Sequence, residues 1–305
     1  MIRTLKNKWH NIVQWSKDCS MPLVRELHLY EVVSVFIKGM ADGNLANRAG
    51  SIAYSFFLAI FPGFLFLFTL IPFFPIQGLE AEVFNLLQRV LPPDTYEATR
   101  GTISDILGNK RSGLLSFGFI SAMFFATSGI RGLIDNFDQT AHALEERNLW
   151  QKLTVSLGLT IVVAILFIMG VIVIIFSSNV LNDFLSFLHI GEISPLIIEM
   201  SRFLLLLFLV FSGITLLYNF GSKAGRHWPF FSPGAILATF LIVLTSLGFS
   251  FYVSNFAQYN KLYGSIGTVM VIMVWIYLNA MVLLIGFELN ASISQAKKSP
   301  KENDE

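Results

Sequence analysis

The chemistry available to this chain lies in a few polar and charged residues set at helical intervals inside apolar stretches. Ser121, Ser128, Arg131, Asp135, Asp138 and His142 follow one another at spacings of 7, 3, 4, 3 and 4, so they share one face of a helix. Arg131 and Asp135 form an i,i+4 pair that can neutralise itself. The alternative is a helix that leaves its apolar surroundings and wets its last turns. Asn44, Asn47, Arg48, Ser51, Tyr54 and Ser55 make a second stripe leading up to Pro62-Gly63. Proline removes a backbone donor and clashes with the carbonyl one turn back, which predicts a kink near Leu58 to Pro62. That kink either shapes a cavity or only improves packing. Near the C-terminus, Asn279, Gly286 and Asn290 share one side of a helix. Glu288 takes the other side, where it either snorkels or meets a buried partner. Solute binding is the chemistry these residues suit. Arg48, Ser51, Tyr54, Ser128, Arg131, Asp135, Asn279 and Glu288 are candidates to line a polar cavity, with Arg48, Arg131 and Asp135 as its charges.

Covalent and metal chemistry find no comparable support. The chain has no HExxH, GxSxG or Walker A pattern and no Cys/His metal spacing. Its five histidines, His10, His28, His142, His189 and His227, are scattered, and the single cysteine, Cys19, excludes an internal disulfide. No enzyme is expected, and no cofactor or metal is implied. A net charge of +1, without a basic motif or stacking platform, gives no reason to expect a nucleic-acid partner. Ser212, Thr215 and Asn219, like Thr239, Ser246 and Ser250, are small polar stripes of the kind that join helices in lipid.

The elements that must position these residues are six charge-free runs: Ile52–Phe74, Gly113–Ile130, Leu153–Phe176, Phe203–Ser222, Trp228–Asn260 and Leu262–Phe287. A bilayer core of about 30 Å needs roughly 20 helical residues. Five runs reach that length unaided, and the second does so by carrying Arg131 in its last turn. Every backbone polar group in lipid must be paired within the chain, so the runs are helices. Composition agrees: 54% of residues are hydrophobic, 13% are charged, and 30 are Phe, with a mean hydropathy of +0.64. The expected fold is an all-α polytopic membrane protein with six transmembrane helices, its partner the lipid bilayer itself. A charge in the middle of such a span costs about 2.5–3.5 kcal/mol, which makes the polar stripes the place to look for function.

Residues 1–50 read as a cytoplasmic N-terminal segment without a cleavable signal. Leu29, Val32, Val33, Phe36, Ile37 and Met40 give it one apolar helical stripe. This predicts an amphipathic helix, lying in the interface or packed on the bundle. The transmembrane domain covers 51–295. It includes a short helical cap at 75–111, outside the membrane and broken at Pro92-Pro93, with Leu79, Val83, Leu86, Leu87 and Val90 on its first apolar face. Residues 296–305 read as a disordered cytoplasmic tail. Tyr252 to Gly267 is expected to be an ordered reentry or a tight helical hairpin. Fourteen Lys and Arg fall on the side of both termini against five (Arg89, Arg100, Lys110, Arg111 and Lys261) on the other. Both ends should therefore be cytoplasmic. Trp150 and Trp228 are expected at the cytoplasmic ends of spans three and five.

From Phe249 to Ile293 the chain reads FSFYVSNFAQYNKLYGSIGTVMVIMVWIYLNAMVLLIGFELNASI. Together with Pro233-Gly234-Ala235 and the run AGSIAYSFFLAIFP from Ala49 to Pro62, this closely resembles the YihY / virulence factor BrkB family over roughly residues 35–295. The resemblance implies a multi-pass protein of the bacterial inner membrane, with six helices and both ends cytoplasmic. It also implies export or lipid handling. Some members carry a ribonuclease BN label, but this chain lacks the histidine-and-aspartate ligands such a nuclease needs. The leading expectation is a transporter-like protein for a small polar or amphipathic, even lipid-related, solute. Its cavity would lie between spans one, two and six, powered by a gradient or a partner. The rival is a non-conducting structural or accessory protein of the envelope, in which the stripes join helices or meet a homo-oligomeric or envelope partner. A weaker third is an intramembrane enzyme acting on lipid.

Overall fold

The computed structural model describes residues 20–21, 24–42, 44–73, 84–85, 87–88, 93–140, 147–175, 194–255 and 265–298. Eight α-helices occupy these residues: α1 (Leu29–Asp42), α2 (Leu45–Leu70), α3 (Pro93–Gly108), α4 (Ser112–Thr140), α5 (Leu149–Ile175), α6 (Pro195–Gly221), α7 (Pro233–Asn255) and α8 (Ser265–Lys298). Two short strands, β1 (Ser20–Met21) and β2 (Val24–His28), pair antiparallel before α1. Short 3-10 turns follow α2 (Ile71–Phe73) and α6 (Ala224–His227).

Six helices are long and apolar enough to cross a membrane: Leu45–Phe73, Ser112–Gln139, Leu149–Ile174, Leu196–Gly221, Pro233–Val253 and Val269–Lys297. Their outward side chains include Phe124, Phe167, Phe240, Leu247 and Phe251, all more than 60% exposed. In water such faces would be costly; in lipid they are solvated.

The helix boundaries refine the sequence reading at three places. Helix α6 begins at Pro195, so Glu199 and Arg202 lie inside it, ahead of the charge-free run. Proline without a free N–H suits a first helical turn, and α7 accordingly starts at Pro233 rather than at Trp228. Trp228 instead lies in the turn, its ring 5.0 Å from that of Phe287. Helix α8 runs to Lys298, into the segment expected to be a loose tail. Helix α2 continues through Pro62. Helix α3 starts at Pro93, the second of the two prolines. Leu79, Val83, Leu86 and Val90, most of the reentry segment, and His142 lie outside the described residues.

The chain gathers into two compact units. In the first (Met1–Arg48, Leu133–Leu244 and Met281–Glu305) the centre is aromatic. Phe137 stacks on Phe287 with ring centroids 4.0 Å apart and planes 7° from parallel. Tyr218 meets both rings edge-on at 5.6 Å. The Tyr218 hydroxyl, fully buried, donates to the carbonyl of Leu283 at 2.7 Å, as a buried phenol must find a partner. Beside it α7 and α8 touch backbone to backbone. A Cβ on Gly234 would strike the Gly286 carbonyl, and one on Gly286 would strike the Tyr218 hydroxyl. Asn290 closes this contact, accepting from Gly234 N–H at 2.7 Å and donating to the Ser232 hydroxyl at 2.9 Å. The pair α5 and α6 pack along each other, with Leu166 against Gly213 and Leu206 against Gly170. Helix α1 packs Val32, fully buried, against Leu289, Ile293 and Ala296 of α8, while Val33 and Ile37 of the same stripe stay exposed.

The second unit (Ala49–Gly132 and Thr245–Ala280) brings α2 and α4 together through small residues. Gly118 sits against the backbone of Phe66, Gly129 against the ring of Phe56, and Phe66 meets Phe119 at 5.3 Å. Helix α3 buries Ile103 and Leu107 and touches the turn after α2. Ser246, Phe249 and Ser250 of α7 and Val271, Ile272 and Trp275 of α8 line a shallow cleft of about 340 Å³.

Candidate functional site

Ionisable groups concentrate at one end of the first unit, where α4 sends successive side chains in different directions. Asn136 meets Arg48, which enters from the first turn of α2. The Arg48 Nε donates to Asn136 Oδ1 at 2.9 Å, and Nη2 donates to the Asn136 carbonyl. A guanidinium can serve both acceptors at once because its donors form a rigid fork. The second partner of Arg48 is charge: Glu288 of α8 attracts it. Glu288 is only 6% exposed although it is ionisable, and α1 covers it. A Cβ on Gly39 would fall on Glu288 Oε1, so the absent side chain leaves room for the carboxylate. Snorkelling is therefore overturned for Glu288, because α8 continues beyond it to Lys298 and α1 closes over it.

On the neighbouring face of α4, Asp135 and Asp138 share one cation. Lys152 Nζ lies 2.8 Å from Asp135 Oδ1 and 3.3 Å from Asp138 Oδ2. Its side chain is 14% exposed and that of Asp138 10%, so both charges are largely withdrawn from water and each requires the other. Just before α5, Arg147 Nη1 donates to the carbonyl of Gly221, the last residue of α6, at 2.5 Å. A cation on the exposed carbonyls of a helix C-terminus satisfies an acceptor and complements the macrodipole. Burial holds the Arg147 guanidinium below its ordinary range; Asp138 opposes that shift and the charge of Arg226 adds to it.

The sequence-derived candidates therefore separate. Arg48 and Glu288 come together in the first unit, and Asp135 stands on the adjacent face with Lys152. Ser51 is exposed and Tyr54 is 57% exposed. The Ser128 hydroxyl donates to the Phe124 carbonyl one turn back in its own helix. Asn279 likewise donates to Trp275 of its own helix at 2.8 Å. Arg131, half-buried, and Pro62-Gly63 belong to the second unit. Thr215 and Asn219 donate to the carbonyls of Phe230 and Trp228, and Thr239 to that of Ala235. Sequence reasoning missed Asn136, Lys152 and Gly39. Lys152 carried a signal, since a cation and Asp138 flank one connection and so fall at the same helix ends. Asn136 and Gly39 carried none. No group of three His, Cys, Asp or Glu among the described residues could hold a metal ion.

Six helices long and apolar enough to cross a membrane define an integral, multi-pass membrane protein. The sequence pattern of the Virulence factor BrkB family matches residues 36–305, and the chain belongs to that family. It is similar to the ribonuclease-like protein YfkH of Bacillus subtilis (strain 168), 29% identical over 269 residues, covering 84% of this chain and 93% of that protein. It is also similar to a UPF0761 membrane protein of Alteromonas mediterranea, 26% identical over 281 residues, covering 90% of this chain and 91% of the relative. A further UPF0761 membrane protein, from Pseudoalteromonas translucida (strain TAC 125), is 28% identical over 269 residues, covering 85% and 84%. No solved structure matches the chain.

Proposed function

We propose that this protein moves or exposes a small polar or amphipathic solute across the bacterial inner membrane, using Arg48 and Glu288 as its charged centre. One observation carries this reading: a carboxylate only 6% exposed, inside an apolar span, faced by a guanidinium from another span. Ionisable residues at such positions are costly to insert, and they mark solute or proton pathways in membrane proteins. Both termini lie in the cytoplasm, on a count of 14 basic residues against six once Arg202 is added to the opposite side. Cysteines introduced near Gly78 and near Lys297, with Cys19 replaced, test the topology. Labelling of both positions from one side of intact membranes refutes it.

Transport is tested on the purified chain in proteoliposomes with two reporters, an NBD-labelled phospholipid quenched by dithionite and an entrapped small polar dye. Protein-dependent transfer of at least one reporter is expected, lost in Glu288→Gln protein that still purifies folded. Transfer indifferent to Glu288→Gln and to Arg48→Lys refutes the role of this centre. A non-conducting accessory role is the second reading, favoured by the way protein groups fill the cluster: Arg48 contacts Asn136 twice and Gly39 abuts Glu288. Absence of transfer in both arms supports that alternative.

A further inference from the structure

Away from Glu288, two guanidinia stand just beyond the apolar spans with donors to spare. The spans nearest them end at Gln139, begin at Leu149 and end at Gly221, which puts Arg147 and Arg226 at the level of lipid headgroups. Arg147 is held in place by its bond to the Gly221 carbonyl through Nη1. A guanidinium has five N–H donors, and the other four of Arg147 have no partner among the described residues. Arg226, exposed on the 3-10 turn Ala224–His227, has no side-chain partner among them. The two cations repel each other. Among the described residues the acid acting on Arg147 is Asp138, and Lys152 engages it together with Asp135. Among the described residues these two carboxylates face three cations, an excess of one positive charge. Close by in the sequence, side chains that favour the membrane boundary are exposed: Leu149 70% and Trp150 80% just after Arg147, Phe220 54% and Phe231 61% on either side of the turn that carries Arg226.

We infer that Arg147 and Arg226, with the exposed Trp150, Leu149 and Phe220 beside them in the chain, form a headgroup site for an anionic phospholipid. The forked donors of a guanidinium match the paired oxygens of a phosphodiester. The excess positive charge of the described residues repels the ammonium of a zwitterionic headgroup, and the exposed apolar side chains receive the acyl chains. Basic pockets between helices at the membrane surface bind anionic headgroups in this way. The site is independent of the transport reading, since it uses neither Arg48 nor Glu288.

The test is lipid binding to the full chain in detergent, read as retained adducts by native mass spectrometry. The probes are phosphatidylglycerol, phosphatidylcholine of the same chains, and inorganic phosphate. Phosphatidylglycerol is expected to bind about 30-fold tighter than phosphatidylcholine, from roughly fivefold per basic side chain. Arg226→Gln, an exposed change that spares the helix cap, should cut that preference about fivefold, and Arg147→Gln/Arg226→Gln should abolish it. Equal binding of the two lipids by the wild type overturns the proposal. That is the result expected if Glu145 and Glu146, adjacent in sequence and outside the described residues, neutralise the guanidinia. A preference unchanged in Arg226→Gln also overturns it. Full displacement of the lipid by millimolar inorganic phosphate overturns the lipid assignment in favour of a free-phosphate site.

Discussion

Removing Arg48 exposes how far the bundle depends on charge compensation. Glu288 is 6% exposed within a span, and its carboxylate faces the Arg48 guanidinium. Arg48→Ala leaves that carboxylate buried beside an apolar side chain, a change that costs about 3–5 kcal/mol when one partner of a buried pair is lost. It also strips two donors from Asn136, whose side-chain oxygen received Nε at 2.9 Å. Glu288→Gln keeps the shape and removes the charge, so its cost should fall nearer the roughly 1–3 kcal/mol of one compromised buried polar group. The double variant Arg48→Ala/Glu288→Gln no longer carries an uncompensated carboxylate. It should be less destabilised than the two single losses added, by a coupling of about 0.5–3 kcal/mol. Reversible unfolding of the purified protein in mixed micelles, by denaturing detergent or steric trapping, measures all three. Asp135→Asn serves as the control partner, because that carboxylate is bonded to Lys152 at 2.8 Å. Its cycle with Arg48→Ala should show less coupling than the Glu288 cycle. Additivity of Arg48→Ala and Glu288→Gln within about 0.3–0.5 kcal/mol would refute the pairing.

Three further outcomes follow from close contacts and shared charge. Gly39→Ala should destabilise by about 1–3 kcal/mol by driving a methyl into Glu288 Oε1; in a Glu288→Ala background the same change should cost little, and an unchanged cost there refutes the contact. Gly234→Ala should reach the upper part of that 1–3 kcal/mol range, because the added carbon meets the Gly286 backbone and Asn290. Gly248→Ala, with nothing within 4 Å of the added carbon, should leave the unfolding midpoint in place. Lys152→Met should destabilise by about 3 kcal/mol by taking the bonded cation from Asp138, whose side chain is 10% exposed. Asp138→Asn removes the stranded charge, so adding it to Lys152→Met should recover part of the deficit; a double variant no more stable than Lys152→Met would exclude the electrostatic cause.

Local composition was enough to determine the six helices. A run of twenty apolar residues has no soluble partner to wait for and pairs its own backbone in lipid, so it needs no tertiary information. The stripe from Leu29 to Met40 within α1 is likewise periodic by itself. Partner choice lay beyond the sequence. The spacing of Arg131 and Asp135 suggested a pair within one helix, but the carboxylate of Asp135 also reaches Lys152 across the following connection. Glu288 read equally as a snorkelling end group or a buried one until α8 was seen to continue to Lys298 and Gly39 to admit its carboxylate. Asn136 fell off every polar stripe, yet it receives two bonds from Arg48, 88 residues away in the chain. A helical period states which residues share a face. Which face meets which neighbour depends on where glycines allow backbones to close, as at Gly39, Gly234 and Gly286, and that is decided only when the helices pack.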